Sequence, residues 1–275
     1  MDIYQSVEEF YESAHTEKCV IGKSLFGRKI YAVKVGEGAP VGIAQYAVHG
    51  REYVTARLAF EHAKIGVQKG SLWLVPLSNP DGALLSERGL ASVKREKDRT
   101  SLLRINGGLE DFSLWKANGR GVDINVNFDA EWGKGKRNAF SPAPENYVGT
   151  RPFSEPETLA LKRFTEKIKP QYTVSYHTKG EEIYWYFYQS MRACLKDKRL
   201  AMILSASTGY PLAYAKGSVG GYKDWCIQTL HIPSFTIEAG ADVFLHPLKE
   251  TGLKNIIEHN RYALYDLSKE YDLIL

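Results

Sequence analysis

From about residue 40 onward, short apolar runs alternate with stretches whose apolar residues recur at helical spacing, and this alternation predicts an α/β fold with a largely parallel sheet. Before that point the chain opens with a short amphipathic helix. Lys29-Ile30-Tyr31-Ala32-Val33-Lys34-Val35 then alternates apolar and polar just after Gly27, which predicts a hairpin. The run Val41–Val48 reads as a buried strand, and the helix that follows carries Val54, Leu58, Ala59 and Ile65 on one face. Leu72–Leu77 predicts a second strand, closed by the turn sequence Asn79-Pro80-Asp81-Gly82. Ser154-Glu155-Pro156-Glu157 opens a helix with capping-box spacing. Tyr172–Tyr176 is a strand that ends on His177, and Ile232–Ile237 runs into Glu238-Ala239-Gly240. The aromatic run Ile183–Tyr188 is expected to be a buried strand rather than a platform for stacking sugars.

This layout carries a chemical consequence. His49, His177 and Glu238 each stand at or near the carboxyl end of a predicted strand. In an open α/β sheet those ends share one edge, and ligands bind in the crevice outside it. Residues far apart in sequence are thereby brought together.

Composition narrows the class. The 275 residues, 44% hydrophobic and 25% charged, suit a soluble globular protein, and a single domain over residues 1–275 is expected. A net charge of +4 is mild, and the basic clusters at residues 94–99 and 196–199 are broken by acids, so each is expected to be a solvated helix face. No nucleic-acid motif is present. Cys19, Cys194 and Cys226 are isolated and odd in number, which points to packed thiols in a reducing compartment. The acidic N-terminus lacks an apolar signal region, and no apolar run approaches the ~18 residues that would span a bilayer. The expectation is a cytoplasmic protein with neither a membrane nor a nucleic-acid partner. Its oligomeric state is not legible.

A catalytic zinc ion needs three protein ligands and an open position, and two histidines with one carboxylate form a standard set. His49 and Glu52 can reach one ion from a compact strand-to-helix turn, with His177 the best-placed third ligand. Taken alone, H-x-x-E also describes a loop histidine beside a helix N-terminal acid, which the helix dipole favours. The other histidines, His15, His62, His231, His246 and His259, read as surface or packing residues.

The wider set of motifs resembles the zinc carboxypeptidase family across nearly the whole chain and in order. The matching pieces are Gly27-Arg28-Lys29-Ile30, His49-Gly50-Arg51-Glu52, Asn79-Pro80-Asp81-Gly82, Gly121-Val122-Asp123-Ile124-Asn125, Ser175-Tyr176-His177 and Phe235-Thr236-Ile237-Glu238. The resemblance implies an α/β/α sandwich around a mixed, largely parallel sheet. It also implies one zinc ion per chain on His49, Glu52 and His177, and Glu238 as the catalytic general base. Family members place an arginine before the G-V-D-x-N segment to steady a developing oxyanion. Here Lys116 sits nearer the usual register while Arg120 keeps the usual chemistry, and Arg120 is slightly preferred. The family's mobile-loop tyrosine has no firm counterpart, since Tyr214 and Lys216 both lie near its place.

Two departures bear on substrate. The digestive type of the family anchors a terminal carboxylate with an Asn-Arg pair, whereas this chain has Asn125-Val126. Lys223 stands just before Asp224 at the specificity position, which suits a carboxylate-bearing group. Together these features resemble the bacterial branch that cuts γ-D-glutamyl-diamino-acid bonds in peptidoglycan stem peptides. A small peptide or muropeptide substrate is then expected, with Arg51, Asn125 and Lys223 binding it. The alternatives are an ordinary metallocarboxypeptidase, a zinc deacylase of N-acyl amino acids, and an inactive binding protein that retains the fold.

Overall fold

The computed structural model describes residues 1–215, 217–248 and 250–271. Helix α1 (Ile3–Ser13) is held at its start by Asp2, whose side chain accepts from the backbone N–H of Gln5. The predicted hairpin follows as β1 (Lys18–Lys23) and β2 (Lys29–Gly36), paired antiparallel. The chain continues through β3 (Val41–Gln45), α2 (Thr55–Ile65), β4 (Ser71–Val75), α3 (Pro80–Arg88), α4 (Glu96–Ile105) and α5 (Pro156–Ile168). Then come β5 (Tyr172–His177), β6 (Glu182–Tyr184), α6 (Met191–Thr208), β7 (Leu212–Ala213), α7 (Tyr222–Gln228), β8 (Ser234–Glu238), α8 (Glu250–Asn260) and α9 (Ala263–Glu270).

The strands form one mixed sheet in the order β1-β2-β4-β3-β5-β8-β6-β7. Its centre, β4-β3-β5-β8, is parallel throughout, with antiparallel pairings at β1-β2, β2-β4 and β6-β8. Successive side chains of a strand point to opposite faces, so a sheet covered on both sides buries residues at every position. Every residue of β4 and β5 is buried. Leu72 and Leu74 pack on one side with Leu58 of α2, Leu204 of α6, Ile256 of α8 and Leu267 of α9. Trp73 and Val75 pack on the other with Phe164 of α5 and Trp225 of α7. The result is the expected α/β/α sandwich.

Several local expectations are corrected. Asn79-Pro80-Asp81-Gly82 does not close a turn but begins α3: Asn79 Oδ1 accepts from the Gly82 N–H at 2.9 Å, and Pro80 sits at the first helical position, where its missing N–H costs nothing. The capping box at Ser154 is not formed, because the Ser154 hydroxyl donates to Glu155 Oε1 at 2.8 Å and Glu157 turns inward. The aromatic run is strand only to Tyr184. Gln189 then bends the chain by accepting from the Phe187 N–H at 2.6 Å and donating to Trp185 O at 3.1 Å. Residues 196–199 are not wholly a solvated face, since Asp197 is buried and accepts from Gln189 Nε2. Among the described residues no helix is long and apolar enough to cross a membrane.

The inward turn of Glu157 has a measurable effect. Its carboxylate is buried, accepting from the Leu25 N–H and Asn118 Nδ2. Burial, reinforced by the charge of Asp81, pushes its pKa up to about 8. The folded protein therefore keeps this proton up to about pH 8, while the unfolded chain releases it near the ordinary carboxylate value. The stability it contributes is full below that ordinary value and is lost as pH rises through about 8. Between about pH 6 and about pH 9 the Tm of the protein is expected to fall by roughly 5 °C more than that of Glu157→Gln. Parallel slopes in thermal melts of the two proteins would refute this.

Candidate metal centre and active site

Parallel pairing of β5 with β8 sets His177 directly beside Glu238 at the carboxyl edge of the sheet. The adjacent strand β3 ends at Gln45, and four residues later His49 enters a 3₁₀ turn, Gly50–Glu52. That turn is fixed by a neighbouring loop. The Gly50 and Arg51 N–H groups donate to Lys116 O at 2.9 Å and Trp115 O at 2.8 Å. Asn79 Nδ2 ties the same pieces together by donating to Val48 O, Lys116 O and Ala117 O. Any side chain at Gly50 would place its Cβ 2.4 Å from Gly82 O and 2.7 Å from Trp115 O, so only glycine allows this approach.

The turn brings His49, Glu52 and His177 together, all buried, with their ligand atoms within 4.8 Å of one another. His49 Nδ1 lies 2.8 Å from Glu52 Oε1, and His177 Nδ1 lies 3.1 Å from both Glu52 Oε2 and His49 Nδ1. The Thr178 N–H donates to Glu52 Oε2 at 3.2 Å and helps aim the carboxylate. Three lone-pair-bearing atoms thus face one another in a buried space, an arrangement that needs a cation or shared protons at its centre. The protein's own charges act in the same sense. Burial works most strongly against a charged His49, but the Glu52 and Asp123 carboxylates together outweigh it and raise the pKa. Burial likewise opposes ionisation of Glu52, but His49 and His177 hold its carboxyl well below the usual range. Two imidazole nitrogens and one carboxylate are a donor set that zinc accepts, so these residues fit the ion.

Asp123 is a partner of the metal ligands that its place in the sequence does not mark as one. Its Oδ1 stands 3.3 Å from His49 Nε2, and Lys116 Nζ stands 3.5 Å from its Oδ2. A carboxylate there turns the His49 ring so that Nδ1 faces inward. The Asn146 N–H also donates to Asp123 Oδ2, at 3.1 Å.

Glu238 opens onto a cavity of about 510 Å³ whose wall also carries Lys116, Asn125, Val126, Lys223 and Asp224. Burial, set against the nearby His177, pushes the Glu238 carboxyl up to about 7. Lys116 and Arg120 are clearly separated. The Lys116 side chain is only 15% exposed and faces the cavity, whereas that of Arg120 is 51% exposed and turns to Glu155, 3.7 Å away. The hydrogen bonds that carry the Trp115 and Lys116 carbonyls to the metal turn leave position 116, not 120, facing the cavity. Lys223 lines the cavity, but its ammonium pairs with Asp224 and donates to Tyr186 O at 3.2 Å. Arg51 flanks the metal cluster with Nη1 3.9 Å from Glu145. Tyr214 is exposed and touches the rings of Trp185 and Tyr186, while Lys216 lies outside the described residues.

His62 is a packing residue as expected, bonded to the Tyr46 hydroxyl and Asn260 O. His246, expected to be a surface or packing residue, lies within the electrostatic reach of Glu52, Arg51 and His49, and burial lowers its pKa to about 4. The cavity also collects Lys136, Arg137, Asn138 and Asn146, none of which stood out in the sequence. Only the G-V-D-I-N segment upstream marked this stretch as part of the site.

The family model described as zinc carboxypeptidase matches residues 3–263. Gamma-D-glutamyl-L-diamino acid endopeptidase 1 of Lysinibacillus sphaericus is 30% identical over 249 residues, which is 84% of this chain and 62% of that protein. The chain thus spans less than two thirds of that relative's length. Murein peptide amidase A of Escherichia coli is 33% identical over 135 residues, covering 45% of this chain and 50% of the amidase. Among solved structures, bovine thrombin-activatable fibrinolysis inhibitor in complex with tick carboxypeptidase inhibitor superposes with a TM-score of 0.75 at 19% identity, over 100% of this chain and 98% of that one. At that identity the likeness concerns the fold.

Proposed function

The chain belongs to the zinc carboxypeptidase family, and from that membership we propose that it is a zinc metallopeptidase cutting γ-D-glutamyl-diaminopimelate bonds in peptidoglycan stem peptides. The observation that carries the catalytic part is the convergence of His49, Glu52 and His177 beside Glu238 at one sheet edge. His49, Glu52 and His177 would hold one zinc ion, which would supply a Lewis acid able to lower the pKa of water toward ~7 and polarise a carbonyl. Glu238 takes a proton from the attacking water and passes it to the leaving amine. A carboxyl held near neutrality by burial suits both directions of that transfer. Lys116, fixed by Asp123 and facing the cavity, presents the positive charge that a developing oxyanion requires.

The substrate part rests on the cavity wall and the relatives. Val126 stands where the digestive enzymes of the family carry a carboxylate-binding arginine, so a plain C-terminal residue lacks its usual clamp. Asn125 remains on the wall and offers an amide to the peptide. Arg51 at the mouth of the metal turn and Lys223 on the wall complete the proposed binding set, with the charge of Lys223 offset by Asp224. The names of the Lysinibacillus endopeptidase and of the E. coli murein peptide amidase support a diamino acid and a muropeptide. All three cysteines are free, which supports a reducing compartment and hence a recycling role in the cytoplasm.

The zinc-loaded protein is expected to release diaminopimelate from L-Ala-γ-D-Glu-meso-diaminopimelate at least about 10-fold more efficiently, as kcat/KM, than it cuts an N-blocked C-terminal dipeptide. Amino-acid analysis of timed digests gives the comparison. Preference for the blocked dipeptide would overturn the substrate assignment and leave the metallopeptidase intact.

A further inference from the structure

The cavity beside Glu238 holds more positive charge than its acids offset. Lys116 is matched by Asp123, and Lys223 by Asp224. Lys136 and Arg137 reach the same cavity, and among the described residues neither forms an ion pair. Next to them, Asn138 Nδ2 is buried at the cavity wall without a hydrogen-bond partner. A buried donor left unsatisfied is costly and marks a place where an acceptor belongs.

The segment bearing these three residues is docked at both ends. The Lys136 N–H donates to Gly217 O at 3.0 Å, and the stem of Lys136 lies so close to Gly217 that a Cβ there would stand 2.6 Å from its Cδ. Trp132 Nε1 donates to Val148 O at 2.9 Å, and the Ala139 N–H to Asn146 O at 2.9 Å. Two cations and an amide are thereby presented to one cavity by a fixed loop. The wall beside them is Val126, which brings no charge.

We propose that Lys136, Arg137 and the Asn138 amide form the carboxylate anchor of the substrate cavity, supplying from a different loop the positive charge that position 126 lacks. This deepens, and rests on, the reading that the cavity receives the leaving residue of a cleaved peptide. The ligand class is an amino-acid residue whose free carboxylate lies on the leaving side of the scissile bond. A guanidinium and an ammonium beside an amide N–H are suited to the two oxygens of such a group.

Binding to zinc-loaded Glu238→Gln protein tests the anchor without turnover. Calorimetry compares L-Ala-γ-D-Glu-meso-diaminopimelate with its leaving-residue α-amide, and an N-blocked dipeptide with its C-terminal amide. In at least one pair the acid is expected to bind about 10-fold or more tighter than the amide. Adding Lys136→Ala and Arg137→Ala together should erase that preference. Asn138→Asp, which keeps size and loop docking but sets a negative charge against the ligand, should erase it too and covers the case of a misfolded double variant. Equal binding of acid and amide in both pairs, or a preference that survives the substitutions, overturns the anchor. A preference seen only with the blocked dipeptide, erased by the substitutions, keeps the anchor and rejects the stem-peptide substrate.

Discussion

Glu238→Gln is expected to lower kcat by about 10³-fold while each chain still binds one zinc ion. The substitution keeps the shape of the side chain and removes its ability to carry a proton. Glu238 lies beside His177 in register and opens to the cavity, but it is not among the three groups whose ligand atoms converge. The metal set should therefore survive the change. General acid–base transfer by one positioned group is worth roughly 10²–10⁴ in rate, and Glu238 is assigned both the uptake and the return of the proton. Steady-state kinetics with metal analysis of the same preparation read the result, and a thermal melt shows that the fold is kept. Activity within about 10-fold of the unsubstituted enzyme would move the general base elsewhere.

The parts of this molecule that were legible in advance share one physical property. β3, β4, β5 and β8 lie at the centre of a sheet covered on both faces, so nearly every position along them is buried, and polar side chains there pair with one another, as Thr173 does with Ser234 and Gln45 with Ser175. With the strand ends located, the edge that carries His49, His177 and Glu238 followed. Misreadings arose where one residue type serves two local structures. Asn-Pro-Asp-Gly suits a turn, yet the same asparagine and proline are equally suited to start a helix, and contact with the metal turn decides between them. Ser154-x-x-Glu157 has the spacing of a capping box, but the pull of Asn118 and the Leu25 N–H takes Glu157 into the interior. The choice between Lys116 and Arg120 turns on two backbone hydrogen bonds from Gly50 and Arg51, which no spacing along the chain reveals. Lys136, Arg137 and Asn138 reach the cavity through a loop docked on Gly217, a contact between segments about eighty residues apart.

His177→Ala should abolish both metal retention and turnover. His177 is the only one of the three proposed ligands that comes from β5; the other two lie on the turn that Lys116 and Trp115 hold in place. Without it, His49 and Glu52 are left as a two-point site, and three protein ligands are the normal minimum for catalytic zinc. The affinity loss should exceed the roughly 10- to 100-fold typical of removing an outer partner such as Asp123. Metal binding to the folded state alone also raises Tm, by an amount that grows with free zinc. Thermal melts across a zinc titration should therefore show a rising Tm for the unsubstituted protein and a flat one for His177→Ala. Chelation should inactivate the first reversibly, whereas added zinc should not rescue the second. If His177→Ala still purified with a full complement of zinc and its Tm still climbed with the metal, the ion would be held by other groups, and the assignment of Glu238 as its neighbouring base would lose its footing.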